Sequence, residues 1–518
     1  MGAGIAELAC LSGARTLLHD PQPEALASGV ERIKRDLSRS VQRGRLDEAD
    51  AAAAGGRLDA VAELDGFGPC ELVIEAAPES LELKRELFKR LAEVVSDDCV
   101  LATNTSSLPV TAIAGGLRAP GRVVGMHFFN PAPVMRLLEV VAGEESSPEA
   151  LERARAAGEA MGKRVIQASD GPGFLVNRCA RPYGLEATRL LVEGVASVDE
   201  IDRICRLEGG FRMGPFELAD LVGLDTRLFV ERSFFEQSYG EPRWRPSPIT
   251  SRLVAAGRLG RKSGRGFYDY SGGDHREPDA EPPPARRGEG AVVIAGESPL
   301  AMELGESASS AGFAVVSPDD AAGSGTVPEL ILDLTGGEDG EVLLQGGPRA
   351  ICCAAGSLAA LDPGGNAVGF HALPPFADAR LVELTRGPDS ASSAATRAER
   401  FFTTLGKHVS WVGDCPGLVL GRIVAQLVNE AAFALSERVG SAEDIDAGLV
   451  HGMNHPRGAL AWGDMIGLDH ILAVLDGLFE ERREERYRAA PVLRSMVWNG
   501  RLGLLTGEGF FTYGSGDE

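Results

Sequence analysis

Short apolar runs alternate with stretches of helical spacing along the first part of the chain. Val73-Ile74, Val100-Leu101 and Val123-Val124 lie in apolar runs bounded by turn residues, which predicts strands. Between the first two, Leu83, Leu87, Phe88, Leu91, Val94 and Val95 recur at the spacing of one helix face. Nearer the N-terminus, Ile5, Leu8 and Ala9 predict a helix, and Thr16 to Leu18 predict a strand that ends at Asp20. A further helix is marked by Val30, Ile33, Leu37 and Val41. This alternation reads as a βαβ-type, mostly parallel sheet. From Gly173 to about Ser238 the spacing is helical and broken by Gly and Pro, which predicts an all-helical second domain. The fold class is therefore α/β plus all-α.

The pattern then repeats. GMHFFNPAPVMRLLEVV, SDGPGFLVNR, MGPFELADLVGLD and GRLGRKSGRGFYDY in the first half answer to GFHALPPFADARLVEL, GDCPGLVLGR, RGALAWGDMIGLD and GRLGLLTGEGFFTY in the second. His127 precedes Glu139 by 12 residues, and His371 precedes Glu383 by 12. Glu139 to Asn177 and Glu383 to Gly421 are both 38 residues. Agreement in order and spacing marks an internal duplication. Ser271 to Gly290, with Gly pairs, a triple proline and charges, reads as a solvated linker. The expected domains are an α/β domain at 1–170, a helical domain at 171–271, a linker at 272–290, a second α/β domain at 291–414 and a second helical domain at 415–518.

Composition narrows the classes of function. The net charge is -23, which disfavours nucleic acid and anionic membranes as partners. No apolar run has the roughly 18 residues of a membrane span, and the N-terminus lacks the pattern of a secretory signal. None of the eight cysteines forms a CxxC pair, which predicts reduced thiols in a cytoplasmic protein, with no disulfides and no metal.

Three constellations can carry chemistry. In MGAGIAELACLSGARTLLHD, Gly2 opens a helix and Asp20 ends the next strand. A helix N-terminus with small residues receives a pyrophosphate, and an acid at the end of the next strand binds ribose hydroxyls. In that reading the first strand and two earlier glycines precede Met1, so the first domain is expected to be N-terminally truncated. Arg32, Arg35, Arg39 and Arg43 form a stripe opposite the apolar face of their helix, suited either to phosphate groups or to solvent. His127 follows an apolar run, at the strand end where α/β folds place sites. With a carboxylate such as Glu139 fixing its tautomer, a histidine is a base able to take an alcohol proton during hydride transfer.

HFFNPAPVMRLLEVV, NTSSLP, DGPGFLVNR and MGPFELADLVGLD together resemble the 3-hydroxyacyl-CoA dehydrogenase family, over the first half to about Tyr270. A degraded copy covers Val292 onward. The resemblance implies a Rossmann-like NAD-binding domain followed by a helical substrate and dimerisation domain. It implies NAD-dependent oxidation of (3S)-3-hydroxyacyl-CoA to 3-oxoacyl-CoA, in fatty-acid or aromatic-acid degradation. By resemblance His127 is the general base, Glu139 its orienting carboxylate, and Ser106 and Asn177 the groups bonded to the reacting part of the substrate. Gly2, Asp20, Glu79, Lys84, Asn130 and Lys262 match positions around the cofactor. Arg39 and Arg43 lie on the hairpin that meets CoA in the family, with Asp36 nearby as an unfavourable neighbour of phosphate.

The second copy departs from this list. Its Gly-rich turn is expected to carry Ala295, Glu297 and Leu300 at the three glycine positions and Pro318 at the acid. Gly421 replaces Asn177 and Leu505 replaces Lys262, and the helical hairpin is missing. The second half is thus expected to have the fold without the site, and to supply its helical domain as a dimer contact, either within one chain as a pseudo-dimer or between chains in a homodimer. A second reading, a non-catalytic CoA- or nucleotide-binding paralogue, follows from the absent first strand. A hydroxyacid dehydrogenase of another type is disfavoured by the arginine stripe and the HFFNP context.

Overall fold

In a computed structural model of the chain, residues 1–324, 327–336 and 347–514 are described. Their contacts divide the chain into two compact units that do not follow the sequence halves. One comprises Met1–Arg178 with Arg438–Met453, the other Cys179–Glu437 with Asn454–Glu518.

In the first unit, β1 (Thr16–Leu18) pairs in parallel with β2 (Leu58–Ala60) as a separate two-stranded sheet. The five-stranded sheet runs β3 (Leu72–Glu75), β4 (Val100–Thr103), β5 (Val123–Phe128), β6 (Leu137–Ala142) and β7 (Arg164–Ser169), in that order. Its pairs are parallel except β5–β6. The helices predicted from spacing form: α1 (Gly2–Leu11), α2 (Pro23–Gln42) and, after it, α3 (Glu48–Gly55). Pro23 at the first turn of α2 needs no amide donor there and is already set in φ. Ile33 and Leu37 of α2 are buried with Ala6 and Cys10 of α1 and Ala54 of α3. Removing each large side chain from water contributes roughly 1.5–3 kcal/mol, so the apolar stripe of α2 holds the hairpin down and leaves the arginines outside.

The helix Ala442–Met453, from the second half of the sequence, belongs to this first unit. It packs on β6 and β7. Ser169 donates its amide to the Val439 carbonyl, and Gln167 donates its amide to the Asp444 carboxylate.

The second unit holds the first helical domain, the second sheet and the remaining helices. Its sheet contains β8 (Ala291–Ala295), β9 (Ala314–Val316), β10 (Leu330–Asp333), β11 (Arg349–Cys352), β12 (Val368–His371), β13 (Leu381–Arg386) and β14 (His408–Trp411). The order is β14-β13-β12-β11-β10-β8-β9, with β12–β13 the antiparallel pair. The duplication is plain in this order: β9 to β14 repeat β1 and β3 to β7, and the α2–α3 hairpin with β2 has no counterpart. β8 joins the two parts of its sheet; among the described residues no strand does so in the first copy.

The helix Leu420–Ser436 is buried along most of its length and packs against the helix Arg181–Glu193. Arg422, fully buried, reaches across that contact to Glu186 at 2.5 Å and Glu193 at 2.7 Å, with the Tyr487 hydroxyl at 2.8 Å. The matching helices of the two halves therefore pair inside one chain. No helix among the described residues is long and apolar enough to cross a membrane.

Two expectations change. The 271–290 segment has no helix or strand, but it is strapped down. His275 and Arg276 bind Glu217 at 2.8 and 2.6 Å, and Asp279 binds Arg206 at 2.8 Å. Burial alone would raise the Glu217 carboxyl, but bonds from Arg276, the Gly214 amide and His275, with the charge of Arg206, carry it down to about 2. Charges that look solvated in sequence find partners here.

The glycine turn of the second copy also shifts by one residue. Gly13 and Gly312 end their helices alike, at φ 96° and 97°. Gly13 and Ala14 donate to Cys10 and Ala9, and Gly312 and Phe313 donate to Ser309 and Ala308. In this register Gly296, Ser298 and Ala301, rather than Ala295, Glu297 and Leu300, occupy the three glycine places. Asp319, rather than Pro318, falls opposite Asp20. The turn is still closed to a pyrophosphate: Pro299 offers no donor, and the Ala301 amide is taken by the Ser298 hydroxyl.

Candidate active site

His127 and Glu139 are direct cross-strand partners in the β5–β6 pair, so their side chains share one face of the sheet. That register explains the spacing of 12. Imidazole Nδ1 lies 2.6 Å from Glu139 Oε2, and both residues are buried. Glu139 is itself fixed: Oε1 accepts the amides of Leu175 at 3.2 Å and Val176 at 2.9 Å. With the carboxylate an acceptor on both oxygens, Nδ1 carries the proton and donates, which leaves Nε2 as an acceptor. Phe129 packs against the ring at 4.6 Å between centroids, with Phe174 at 5.9 Å on another side. Gly125, two residues before His127, is required by the sheet: a Cβ there would stand 2.7 Å from that of Val141.

Two neighbours come from other elements. Asn177 follows Val176, whose amide holds Glu139, so one short turn sets both. Ser106 lies on the loop leaving β4, the strand beside β5, at the same sheet end as His127. One carboxylate oxygen organises that loop. Glu79 Oε1 accepts the Thr105 hydroxyl at 2.6 Å, the Ser107 hydroxyl at 2.9 Å, and the Ser106 and Ser107 amides at 3.1 Å. Burial would raise the Glu79 pKa, but the bond from Thr105, the charge of Lys84 and the bonds from Ser107 and Ser106 leave it lowered. Asn104 pins the same loop, its side-chain oxygen accepting the Phe128 amide at 2.8 Å.

The structure narrows the roles of Glu79 and Lys84. Lys84 is 1% exposed and spends its ammonium on Glu75 at 2.7 Å, Glu79 at 3.4 Å and the Ala77 carbonyl at 3.4 Å. A group so enclosed holds Glu79 and the 75–79 backbone in place and offers no ammonium to solvent. Asn130 is exposed after β5. Lys262 lies in the other compact unit, paired with Asp225 at 2.7 Å on a loop tied by Asp220. Asp220 accepts the Phe267 and Tyr268 amides and the Tyr270 hydroxyl, and Asp464 does the same for Phe510, Phe511 and Tyr513. This clasp was missed in the sequence, although its aspartates recur at matching places in the two halves.

The residues present fit the pyrophosphate and ribose parts of a dinucleotide. α1 starts at Gly2 with no side-chain cap and no acid in its first turn. A Cβ at Gly2 would meet only that of Ala76, at 3.8 Å. Asp20 follows β1, its Oδ1 accepting the Gln22 amide. The helix start offers amide donors and positive dipole to an anion. On α2, Arg39 and Arg43 are exposed, and Arg39 and Arg32 each lie 3.6 Å from Asp36. Asp36 is thus flanked by two guanidiniums. Below it Glu7 is pushed up to about 7 by burial, then by Asp36, against the pull of Arg32.

The second copy keeps the residues and loses the dyad. Glu383 accepts the Val419 amide on Oε2 and the Leu420 amide on Oε1, both at 2.8 Å, whereas Glu139 takes its pair of amides on Oε1 alone and keeps Oε2 for His127. His371 lies instead 3.1 Å from His470, and its Nδ1 has no hydrogen-bond partner among the described residues. A Cβ on Gly421 would fall 2.1 Å from His371 Cε1, so the ring fills the place where Asn177 has a side chain in the first copy.

Residues 1–171 match the model of the 3-hydroxyacyl-CoA dehydrogenase NAD-binding domain. The model of the C-terminal domain of the same family matches twice, at 173–270 and 417–513. The chain is 37% identical over 495 residues to a 3-hydroxyadipyl-CoA dehydrogenase of Escherichia coli K12, covering 95% of this chain and 94% of that one. Its first half is 40% identical over 270 residues to a probable 3-hydroxybutyryl-CoA dehydrogenase of Deinococcus radiodurans, covering 52% of this chain and 96% of that one. A crystal structure of 3-hydroxybutyryl-CoA dehydrogenase from Escherichia coli K12 superposes with a TM-score of 0.81 at 35% identity, covering 96% of both chains. The chain belongs to the 3-hydroxyacyl-CoA dehydrogenase family of NAD-dependent oxidoreductases.

Proposed function

We propose that the chain oxidises the C3 hydroxyl of (3S)-3-hydroxyacyl-CoA at one site, in the first half, with His127 as general base. The observation that carries this reading is the 2.6 Å bond from His127 Nδ1 to a Glu139 already held by two amides. That bond leaves Nε2 to take the alcohol proton and stabilises the imidazolium that results. Ser106 and Asn177 orient the substrate oxygen from the neighbouring loop and turn. Glu79 and Lys84 hold the Ser106 loop. Gly2, Asp20 and Asn130 bind the cofactor, and NAD when bound supplies the hydride acceptor. A carboxylate at Asp20 selects NAD over NADP, since a 2′-phosphate there is repelled. Arg39 and Arg43 take the CoA phosphates, with Asp36 neutralised between Arg32 and Arg39.

The domain division is proposed as 1–170, 171–271, 272–290, 291–414 and 415–518. The pairing of the helices 181–193 and 420–436 serves as an intrachain pseudo-dimer, in a cytoplasmic protein that degrades fatty or aromatic acids. NADH oxidation by the purified chain with acetoacetyl-CoA tests the reading. Turnover supports it. NADH binding without turnover favours the non-catalytic paralogue, which the separate β1–β2 sheet would suit.

A further inference from the structure

Each sheet is covered by a helix from the opposite half of the sequence. Helix Val198–Leu207 lies on β13 in the second unit, where the Leu207 carbonyl accepts the Arg380 amide. Helix Ala442–Met453 lies on β6 and β7 in the first unit. The two helices are copies: Ser197 and Ser441 precede them, and Ile201 and Ile445 are buried at the same place. At the end facing the His/Glu pair they differ. The first carries Glu208, and the matching residue of the second is Gly452.

Glu208 and Glu383 are both buried, neither Glu208 oxygen has a hydrogen-bond donor among the described residues, and its carboxyl faces that of Glu383. Two buried carboxyls in contact hold one proton between them, because both cannot be charged. Both Glu383 oxygens also accept an amide, from Val419 and Leu420, and His371 turns to His470. In the first unit the absent side chain has the opposite result. A Cβ on Gly452 would stand 2.7 Å from Leu137 Cδ2, 3.1 Å from Val176 Cγ1 and 3.4 Å from Phe129 Cζ. Val176 gives its amide to Glu139, and Phe129 packs on His127. Any side chain at 452 bears on the residues that set the dyad.

We propose that Gly452, contributed by the second half of the chain, is a positioning residue of the His127 site. It keeps bulk and a competing carboxyl away from Glu139, while Glu208 in the matching place uncouples Glu383 from His371. The second half is then part of the working site and not only its packing partner. The proposal rests on the reading of His127 as base.

Its test uses the full chain and the variants Gly452→Glu and Gly452→Ala. One readout is the low-field Nδ1–H proton resonance of the unliganded protein, assigned by its loss in His127→Gln. The other is kcat and KM for acetoacetyl-CoA reduction. Gly452→Glu is expected to lose the resonance and at least 100-fold in kcat while keeping a cooperative melt. Gly452→Ala is expected to shift the resonance and lower kcat three- to tenfold with KM unchanged. If the glutamate variant does not fold, the alanine variant decides alone. Resonance and kcat equal to the parent's in the variant that folds would overturn the proposal. A parent without turnover would instead sink the functional reading, and the resonance would still test Gly452.

Discussion

Glu208 and Glu383 press two buried carboxyls together at the place where, in the other copy, Glu139 meets only His127 and backbone amides. Burial pushes both up; Glu383 adds to the rise of Glu208, whereas the Leu420 and Val419 amides and Glu208 itself pull Glu383 back down, to about 8. Burial also holds His371 well below its ordinary value and His470 near 4. Three positions therefore distinguish the two histidine–carboxylate pairs: Glu208 against Gly452, Gly421 against Asn177 and His470 against Thr226.

The carboxyl pair makes a signed prediction for stability. Glu383 binds its proton more tightly folded than unfolded. Its contribution is present below about 4.5 and is lost as pH rises through about 8. His470 acts in the other sense, its contribution lost as pH falls from 6.5 toward 4. Glu208→Gln removes one carboxyl and leaves His470 alone. Thermal melts should show the variant gaining on the parent between about pH 5 and pH 9, by the order of 1–2 kcal/mol. A difference that does not change with pH contradicts the shared proton.

Arg422 is the buried hub of the intrachain helix pair, bonded to Glu186, Glu193 and Tyr487. Arg422→Met leaves the Glu186 carboxylate buried without its guanidinium, held only by the Tyr487 hydroxyl, at a cost of about 3–5 kcal/mol. Urea denaturation should show that loss, with part of it regained in the double variant Arg422→Met, Glu186→Gln. Additive losses would mean the two side chains act separately.

Glu79 separates positioning from contact. Four donors converge on one of its oxygens. Glu79→Gln should lower kcat about 10- to 100-fold through the Ser106 loop, the scale of a misplaced catalytic group. NADH affinity, followed by fluorescence, should move less than threefold. A larger fall in affinity with kcat retained would restore Glu79 as a direct cofactor contact.

Arg39→Glu and Arg43→Glu should each raise KM for acetoacetyl-CoA by about tenfold at low salt and leave kcat within twofold. The effect should shrink as the ionic strength rises and exposed charges are screened. A flat KM would make the stripe a solvated helix face.

The legible parts were those set by local pattern. The spacing of 12 between histidine and glutamate shows in sequence because an antiparallel register produces it. Ile33 and Leu37 announced the buried face of α2 for the same reason. The exchange of helices 198–207 and 442–453 left no such mark, since a helix has one apolar face whichever sheet covers it. The 271–290 strap was misread because its partners, Arg206 and Glu217, are far away in sequence. The turn after β8 was misread by one residue, because only the matched helix ends at Gly13 and Gly312 reveal its register.

The central claim is that one of the two histidine–glutamate pairs works. His127→Gln and His371→Gln, assayed side by side for acetoacetyl-CoA-dependent NADH oxidation, test it most directly. The first should lose about 10²- to 10⁴-fold in kcat, the scale of a general base, and the second should stay within twofold of the parent. Equal losses from both, or a larger loss from His371→Gln, would contradict the account.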